Sequence, residues 1–480
     1  MRTKIIETPA SMPLDRKLKK ANHAWIRPLQ AKGGARYIQI SQQIMAAIDD
    51  AVLLPGDRLP PQRDLAQLFG VDLTTVTRAL TEVRNAGLLD AHGAGGTFIT
   101  TSSAKDNRTV DLSMNIPPLL HGSAFAQAMA QGLQATVPLL GQGDLMSYHV
   151  GPGTKADREA AALWLRPMLG AIDSDRIVIC PGTQSALAAW LLAYTEPDDS
   201  IVVDTLTYPG MLAAARLMQR NIVPVEADAQ GMCPDALEAA CKNHAPAMVY
   251  LVPTIHNPTT VTLPQERRQA LLAVASRYQI PILEDDPYWL LAGDAPPPLA
   301  TMQSASSSPV YYASTLSKYL APGLRTSYMV VPAAQPIEPL LDALRSITLM
   351  APQPLVALAS HWIRSGLAQE LFEKARQELV KRQAIAHSIL PQPLWAHPGG
   401  LHAWLPLSTK IDLYRIIQTA QEQGLGVANA EAFSQADTPP SGIRISLGGA
   451  PDARGLQTAL EKLTAILRDQ QAPRAPQAIV

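Results

Sequence analysis

Two domains of different class are predicted, a small helical one that ends in a hairpin and a large α/β one built on a mostly parallel sheet. Three observations predict them. A chain of 480 residues exceeds what one hydrophobic core usually organises. The stretch Thr100-Thr101-Ser102-Ser103-Ala104-Lys105-Asp106-Asn107-Arg108 is polar and lacks apolar periodicity, as a linker does. Beyond it, short apolar runs at 176–180, 201–204, 247–252, 280–284 and 310–313 alternate with longer helical patterns. That alternation is the rhythm of strands and crossover helices in a parallel sheet. The expected division is an N-terminal extension over 1–36, a small domain over 37–100, the linker over 101–110 and the large domain over 111–480.

Hydrophobic residues make up 47% and charged residues 17%, a globular composition that excludes a wholly disordered chain. A formal charge of −1 excludes a uniformly basic nucleic-acid coat. The charge is nevertheless segregated. Residues 1–36 carry nine Lys or Arg (Arg2, Lys4, Arg16, Lys17, Lys19, Lys20, Arg27, Lys32 and Arg36) against only Glu7 and Asp15. Three cysteines, Cys180, Cys233 and Cys241, cannot build a disulfide framework for this length and fit a reducing compartment. With His244 nearby, Cys233 and Cys241 match no common zinc spacing and lack a fourth ligand, so no metal is expected. The basic start is not followed by an apolar run and is interrupted by Pro9 and Pro13, so no signal peptide is expected. The longest apolar stretch, 186–194, is too short to span a bilayer. A soluble, cytoplasmic protein is predicted.

In the small domain, Ile40, Ile44, Ala47 and Ile48 fall at helical spacing and predict a helix over 38–51. Pro61 suits the first position of a second helix, where its missing N–H costs nothing, and Gly70 ends that helix after Phe69. Asp72 is a side-chain cap for a third helix over 73–85, with Val76, Leu80 and Val83 inward and Thr74, Thr75, Thr77 and Arg78 outward. His92-Gly93-Ala94-Gly95-Gly96 forms a hairpin tip, followed by Thr97-Phe98-Ile99. Three helices and such a hairpin make a winged helix-turn-helix, whose third helix enters the major groove of DNA. A helical dimerisation module or a dehydrogenase-like module is the alternative. Four basic against seven acidic side chains over 37–100 also count against strong phosphate binding. The ordered set decides: Leu53-Leu54-Pro55-Gly56-Asp57-Arg58-Leu59-Pro60, Arg63-Asp64-Leu65-Ala66, Phe69-Gly70-Val71, Thr75-Val76-Thr77-Arg78-Ala79, Gly87-Leu88-Leu89 and Gly96-Thr97-Phe98. It resembles the winged-helix domain of the GntR family. The resemblance implies a double-stranded DNA operator as partner, with Arg63 on phosphate or base edges. It places Thr74, Thr75 and Thr77 on the recognition helix and Gly95 at the wing tip. Asp72-Leu73 stands where the family often has Ser-Arg, so a frequent DNA-contacting arginine is absent.

In the large domain, Ser314-Thr315-Leu316-Ser317-Lys318 follows a strand-like run, with Arg325 seven residues on. A lone lysine is ordinarily a solvated surface group. One set among small hydroxyl residues after a buried strand, with an arginine in reach, suits imine formation beside a phosphate pocket. Glu284-Asp285-Asp286-Pro287-Tyr288 follows another run, at the strand ends where α/β sheets place ligands; taken alone, a helix cap is the favoured explanation. Pro253-Thr254-Ile255-His256-Asn257-Pro258 supplies an amide at a third strand end, and Pro181-Gly182-Thr183-Gln184 opens a helix whose N–H groups suit a phosphate.

In this order and spacing the segments resemble the fold-type I, class I aminotransferases, which use pyridoxal 5′-phosphate. The resemblance implies that Lys318 holds the cofactor as a Schiff base, that Asp285 pairs with its ring nitrogen, and that Tyr288 and Asn257 hydrogen-bond its phenolic oxygen. It implies that Tyr208 stacks on the ring, that Thr183, Gln184, Ser314 and Arg325 hold the phosphate, and that Tyr148 reaches the neighbouring subunit's phosphate. Arg444, in Gly442-Ile443-Arg444-Ile445-Ser446-Leu447, matches the arginine that takes a substrate carboxylate in a bidentate pair. The usual Asn-Pro-x-Gly is here Asn257-Pro258-Thr259-Thr260, without the glycine.

The two domains together resemble the MocR/GabR-type regulators along essentially the whole chain. That resemblance implies a head-to-tail homodimer whose large domain senses an amino acid, an amine or the cofactor itself through aldimine chemistry, and so acts on transcription. Because sensing and catalysis share the imine steps, a working aminotransferase with an appended DNA-binding module is the alternative. A degenerate large domain that only dimerises is disfavoured by Lys318 and Asp285.

Overall fold

The structure, a computed structural model, describes residues 25–30, 34–50, 52–54, 56–86, 88–91, 96–100, 110–118, 123–141, 144–409, 411–436 and 438–471. The chain divides into two compact units, Met1–Arg108 and Thr109–Val480.

The first unit holds three helices, Arg36–Asp49, Gln62–Phe69 and Leu73–Asn85, and an antiparallel hairpin of Leu89–Ala91 with Thr97–Ile99. The first helix thus starts two residues before the predicted span, and Pro61 caps the second rather than opening it. Gly70 ends the second helix at φ 63°, a left-handed conformation that glycine adopts without a Cβ clash. Asp72 caps the third helix by accepting the Thr75 N–H at 2.7 Å. Hydrogen bonds from Thr74 and Thr75 hold its carboxyl down at about 2. Ile40, Ile44, Leu65, Val76, Leu80, Val83, Leu89 and Ile99 form the core. Trp25 joins that core with 6% of its surface exposed and its ring 6.1 Å from that of Phe69. Two glutamines of the first helix latch the adjoining backbone: Gln43 on Arg27 and Gln39 on Gln30, each as donor and acceptor. The predicted wing-tip residue Gly95 lies outside the described residues.

The second unit is built on a seven-stranded sheet in the order Ile177–Cys180, Ser327–Val330, Val310–Thr315, Ile282–Asp285, Met248–Leu251, Ser200–Asp204 and Asn221–Val225. Only Ser327–Val330 runs against its neighbours; the other pairings are parallel. Successive strand residues feed different cores, as a sheet covered on both faces requires. Ile201, Val203, Met248, Tyr250 and Leu283 belong to one core; Val202, Val249, Leu251 and Ile282 belong to the other. The apolar stretch 186–194 lies within the helix Thr183–Tyr194. The long helix Leu367–Ile389 leads to a four-stranded antiparallel sheet in the order Trp395–Ala396, His402–Pro406, Gly442–Ser446 and Ala428–Asn429. Val110–Asp111, which takes in the last residue of the predicted linker, pairs with Leu425–Gly426 beside this smaller sheet's core. No helix among the described residues is long and apolar enough to cross a membrane.

Candidate functional site

Thr183, Tyr208, Val252, Asn257, Asp285, Pro287, Tyr288, Thr315 and Lys318 line one cleft, contributed by the ends of five strands and the segments that follow them. A parallel sheet delivers its ligand groups there because every parallel strand ends on the same side. At one end of the cleft, Gly182 takes φ 94°, and a Cβ at that position would collide with the Arg325 guanidinium. Thr183 opens a helix, and its hydroxyl is buried without a partner. Arg325 donates to the Pro181 carbonyl at 3.0 Å. Free N–H groups, an unpartnered hydroxyl and a guanidinium together suit an anion.

Asp285 ends the strand Ile282–Asp285, almost wholly buried. Its Oδ2 accepts the Tyr250 hydroxyl at 2.7 Å, whereas its Oδ1 has no partner. Burial, assisted by the charge of Asp286, lifts its carboxyl to about 7; the Tyr250 bond and Lys318 oppose that rise. Neither neighbouring carboxylate lines the cleft, although Asp286 Oδ1 is also unpartnered. Glu284 accepts the Leu299 and Ala300 N–H groups and lies 3.7 Å from buried Arg268, and Asp286 accepts the Thr254 hydroxyl at 2.9 Å.

Lys318 is presented by the short turn Leu316–Lys318, and its Nζ donates to the Asn115 carbonyl at 2.5 Å. Burial and the charges of Arg444 and Arg325 bring its amine down to about 8, against the pull of Asp285. Arg444, from the smaller sheet, is 6% exposed. It donates to Asn257 Oδ1 at 2.8 Å and to the Ser113 carbonyl, and lies 4.9 Å from the Phe433 ring centroid. Its Nε has no partner, and burial brings the group down to about 10. At the lost glycine, Thr260 keeps the left-handed backbone at φ 64° and donates its N–H to the His256 carbonyl at 2.6 Å.

Six predicted residues thus meet in the cleft: Lys318, Asp285, Tyr288, Asn257, Tyr208 and Thr183. Ser314 does not. Strand alternation turns its hydroxyl to the Asp286 carbonyl at 3.4 Å, and Thr315 lines the cleft in its place. Gln184 donates to the Gly210 carbonyl at 2.8 Å and accepts the Tyr208 hydroxyl at 3.2 Å, so it braces Tyr208. Tyr148 is 76% exposed and does not line its own chain's cleft. In the first unit Arg63, Thr74 and Thr77 are exposed and Thr75 half-buried. Thr74 and Thr75 donate their hydroxyls to Asp72, while Thr77 donates to the Leu73 carbonyl and to Gln62. Sequence reasoning missed Tyr250, Thr315, Asn115 and His402. Only Thr315, three residues before the lysine, left a local signal.

The expected cofactor, pyridoxal phosphate, fits this donor set. A protonated pyridine nitrogen needs one free carboxylate oxygen in a dry setting, and Asp285 Oδ1 is such an atom. The phosphate needs donors at the helix start, where the Thr183 hydroxyl is buried and unpartnered. The carbonyl carbon needs an amine that loses its proton near neutrality, as Lys318 does.

Comparison with known proteins agrees. Residues 107–463 match the family described as Aminotransferase class I and II, and residues 36–99 match Bacterial regulatory proteins, gntR family. An HTH-type transcriptional regulator of Bacillus subtilis (strain 168), YdeF, is 29% identical, over 90% of this chain and 94% of that protein. The vitamin B6 salvage pathway transcriptional repressor PtsJ of Salmonella typhimurium is also 29% identical, over 86% of this chain and 95% of its own. Among solved structures, the kynurenine aminotransferase of Pyrococcus horikoshii has the same fold (TM-score 0.68, 24% identity, 76% of this chain and 92% of that one). With its cofactor cleft in a large domain that follows a gntR-type winged helix, the chain belongs to the aminotransferase class I and II family and has the two-domain architecture of the MocR-type transcriptional regulators.

Proposed function

We propose that the protein regulates transcription from a DNA operator and that its aminotransferase-type domain senses a small amine-bearing effector: an amino acid, an amine, or pyridoxal phosphate itself. The observation that carries this reading is a cleft equipped for the cofactor, with Lys318 and the free oxygen of Asp285, in the same chain as a winged helix. Bound there, pyridoxal phosphate supplies an electrophilic carbon for which Lys318 and an incoming amine compete.

The protein's own groups have separable parts in this scheme. Asp285 holds the ring nitrogen protonated, Tyr208 covers the ring, and Asn257 and Tyr288 hold its phenolic oxygen. Thr183, Thr315 and Arg325 hold the phosphate, with Thr315 in the part first assigned to Ser314. Arg444 exchanges its Asn257 and Ser113 partners for an effector carboxylate, which suits an effector that bears an anion. Exposed Tyr148 is offered to the second subunit of a head-to-tail homodimer. Arg63, Thr74, Thr75 and Thr77 face the operator, Gly95 is assigned to it by the family resemblance alone, and the protein acts in the cytoplasm. Ser113 and Asn115 accept hydrogen bonds from Arg444 and Lys318 and lie just after the predicted linker over 101–110. A ligand that draws on either cation therefore changes the contacts of the chain that leads to the winged helix.

The test is purified protein loaded with pyridoxal phosphate. Expected are visible absorption, a borohydride-fixed label lost in Lys318→Ala, and an amino-acid-dependent spectral change that alters operator footprints. Absence of the label overturns the reading. Sustained turnover with an amino acid and a 2-oxo acid, with operator binding unchanged, replaces it with the enzyme.

A further inference from the structure

Asn115 lies where the chain enters the large unit, yet it touches three groups from far along the sequence. Its carbonyl accepts Lys318 Nζ at 2.5 Å, and its side-chain Nδ2 donates to the Tyr288 hydroxyl oxygen and to His402 Nδ1, each at 3.0 Å. The residue is 6% exposed, and its Oδ1 is buried without a partner.

The direction of each bond follows from the ends of the chain of contacts. The His256 carbonyl only accepts, so His402 Nε2, 3.2 Å away, carries a proton. Burial and the charge of Arg444 hold His402 well below the ordinary histidine range, so it is neutral and its Nδ1 is a lone pair in need of a donor. The amide NH2 of Asn115 is that donor; the flipped amide would set oxygen against nitrogen lone pair. The second N–H of the same amide falls on the Tyr288 oxygen. Tyr288 is therefore an acceptor on this side, and its own proton is left for the cleft that it lines.

We propose that Asn115 is a positioning residue of the cofactor site: anchored by His402, it sets Tyr288 as a hydrogen-bond donor toward the cleft. The inference rests on the cofactor reading given above. A donor aimed at the cofactor's phenolic oxygen favours the anionic form of that oxygen. Without it, the oxygen relies on the proton it shares with the lysine nitrogen and holds that proton to higher pH. The charges of Arg444, Asp285 and Tyr208 also bear on Tyr288, and Lys318 lines the cleft beside it; none of the four is bonded to the Asn115 side chain. Asn115→Asp keeps the shape but turns the NH2 into an acceptor, so Tyr288 donates to it and is withdrawn from the cleft. Asn115→Ala leaves the Tyr288 proton free.

The experiment is a pH titration of the visible absorption of the full-length protein loaded with pyridoxal phosphate. Expected is an upward shift of the midpoint by about one unit in Asn115→Asp, close to that of Tyr288→Phe, and less than half as much in Asn115→Ala. His402→Ala guards against a variant that does not fold. It releases the amide to turn its oxygen to Tyr288, and the midpoint again rises. A wild type without visible absorption overturns this proposal together with the cofactor reading. A wild type that absorbs and a Tyr288→Phe that shifts, with Asn115→Asp and His402→Ala titrating like the wild type, overturn this proposal alone. Equal shifts in Asn115→Asp and Asn115→Ala overturn it too, since loss of packing would then suffice.

Discussion

An amine attacks a carbonyl only in its neutral form. Because Lys318 is brought down to about 8, chiefly by burial, covalent capture of pyridoxal phosphate is expected to accelerate about tenfold per pH unit until about pH 8 and to level off above. Stopped-flow absorption measures this; a plateau reached only near pH 10 would mark an ordinary solvated lysine. Asp285 is shifted the other way, from 3.8 to about 7. Between those values the folded, cofactor-free protein holds a proton that the unfolded chain has released. The stability from this group is complete below about pH 4 and is lost as pH rises through 7. Glu284, Asp286 and Asp204 share that direction, so the informative comparison is between variant and wild type. Asp285→Asn should match the wild type at pH 4 and exceed it at pH 8 by roughly 1–4 kcal/mol, with weaker cofactor binding. Denaturant titrations at the two pH values check it, and a variant no more stable at pH 8 than at pH 4, relative to wild type, contradicts the burial argument.

The recognition helix shows how one cap residue organises an element. Asp72 takes the hydroxyl protons of Thr74 and Thr75 as well as the Thr75 N–H, and Arg78 of the same helix stacks 3.9 Å from the Tyr37 ring centroid. The exposed face is left with hydroxyl lone pairs and methyl groups in place of a guanidinium. Before the first helix, residues 25–30 pack as part of the domain because Trp25 fills the core. Trp25→Ala is expected to destabilise the winged helix by about 3–5 kcal/mol, read by hydrogen exchange of Leu65 and Val76 amides in the full chain. Unaltered protection would mean that the indole only covers the surface.

At the scale of the whole molecule, affinity for DNA grows with the phosphates neutralised. The winged helix over 37–100 carries four basic against seven acidic side chains, whereas residues 1–20 carry six basic ones, Arg2, Lys4, Arg16, Lys17, Lys19 and Lys20. Deleting residues 1–20 is expected to weaken operator binding and flatten its salt slope by roughly one to three units, with sequence preference kept. Fluorescence anisotropy across salt concentrations measures it, and an unchanged slope leaves the winged helix to bind through its own four cations. Arg444→Ala should weaken a carboxylate-bearing effector by about 2–5 kcal/mol while the borohydride-fixed label at Lys318 still forms. Effector titration of the visible spectrum checks this, and an unchanged response points to a simple amine or to the cofactor as the signal.

Much of this was legible from neighbours along the chain. The cap at Asp72, the stop at Gly70 and the apolar runs at strands such as Ile282–Asp285 are local signals, because hydrogen-bond closure and side-chain periodicity act over a few residues. The spacing around Lys318 and Asp285 carried the cleft's chemistry for the same reason. Ser314 and Thr315 differ by one step, and only the register of Val310–Thr315 between its neighbours says which of them faces the cleft. Nothing near Trp25 announces that Phe69 waits for it. Tyr250 lies one strand away from Asp285, and Asn115 meets Tyr288 and His402 across 173 and 287 residues. Such meetings depend on the strand order and on how the smaller sheet is placed beside the larger one. Those are settled when separate apolar faces pack together, and no short window of sequence contains that information.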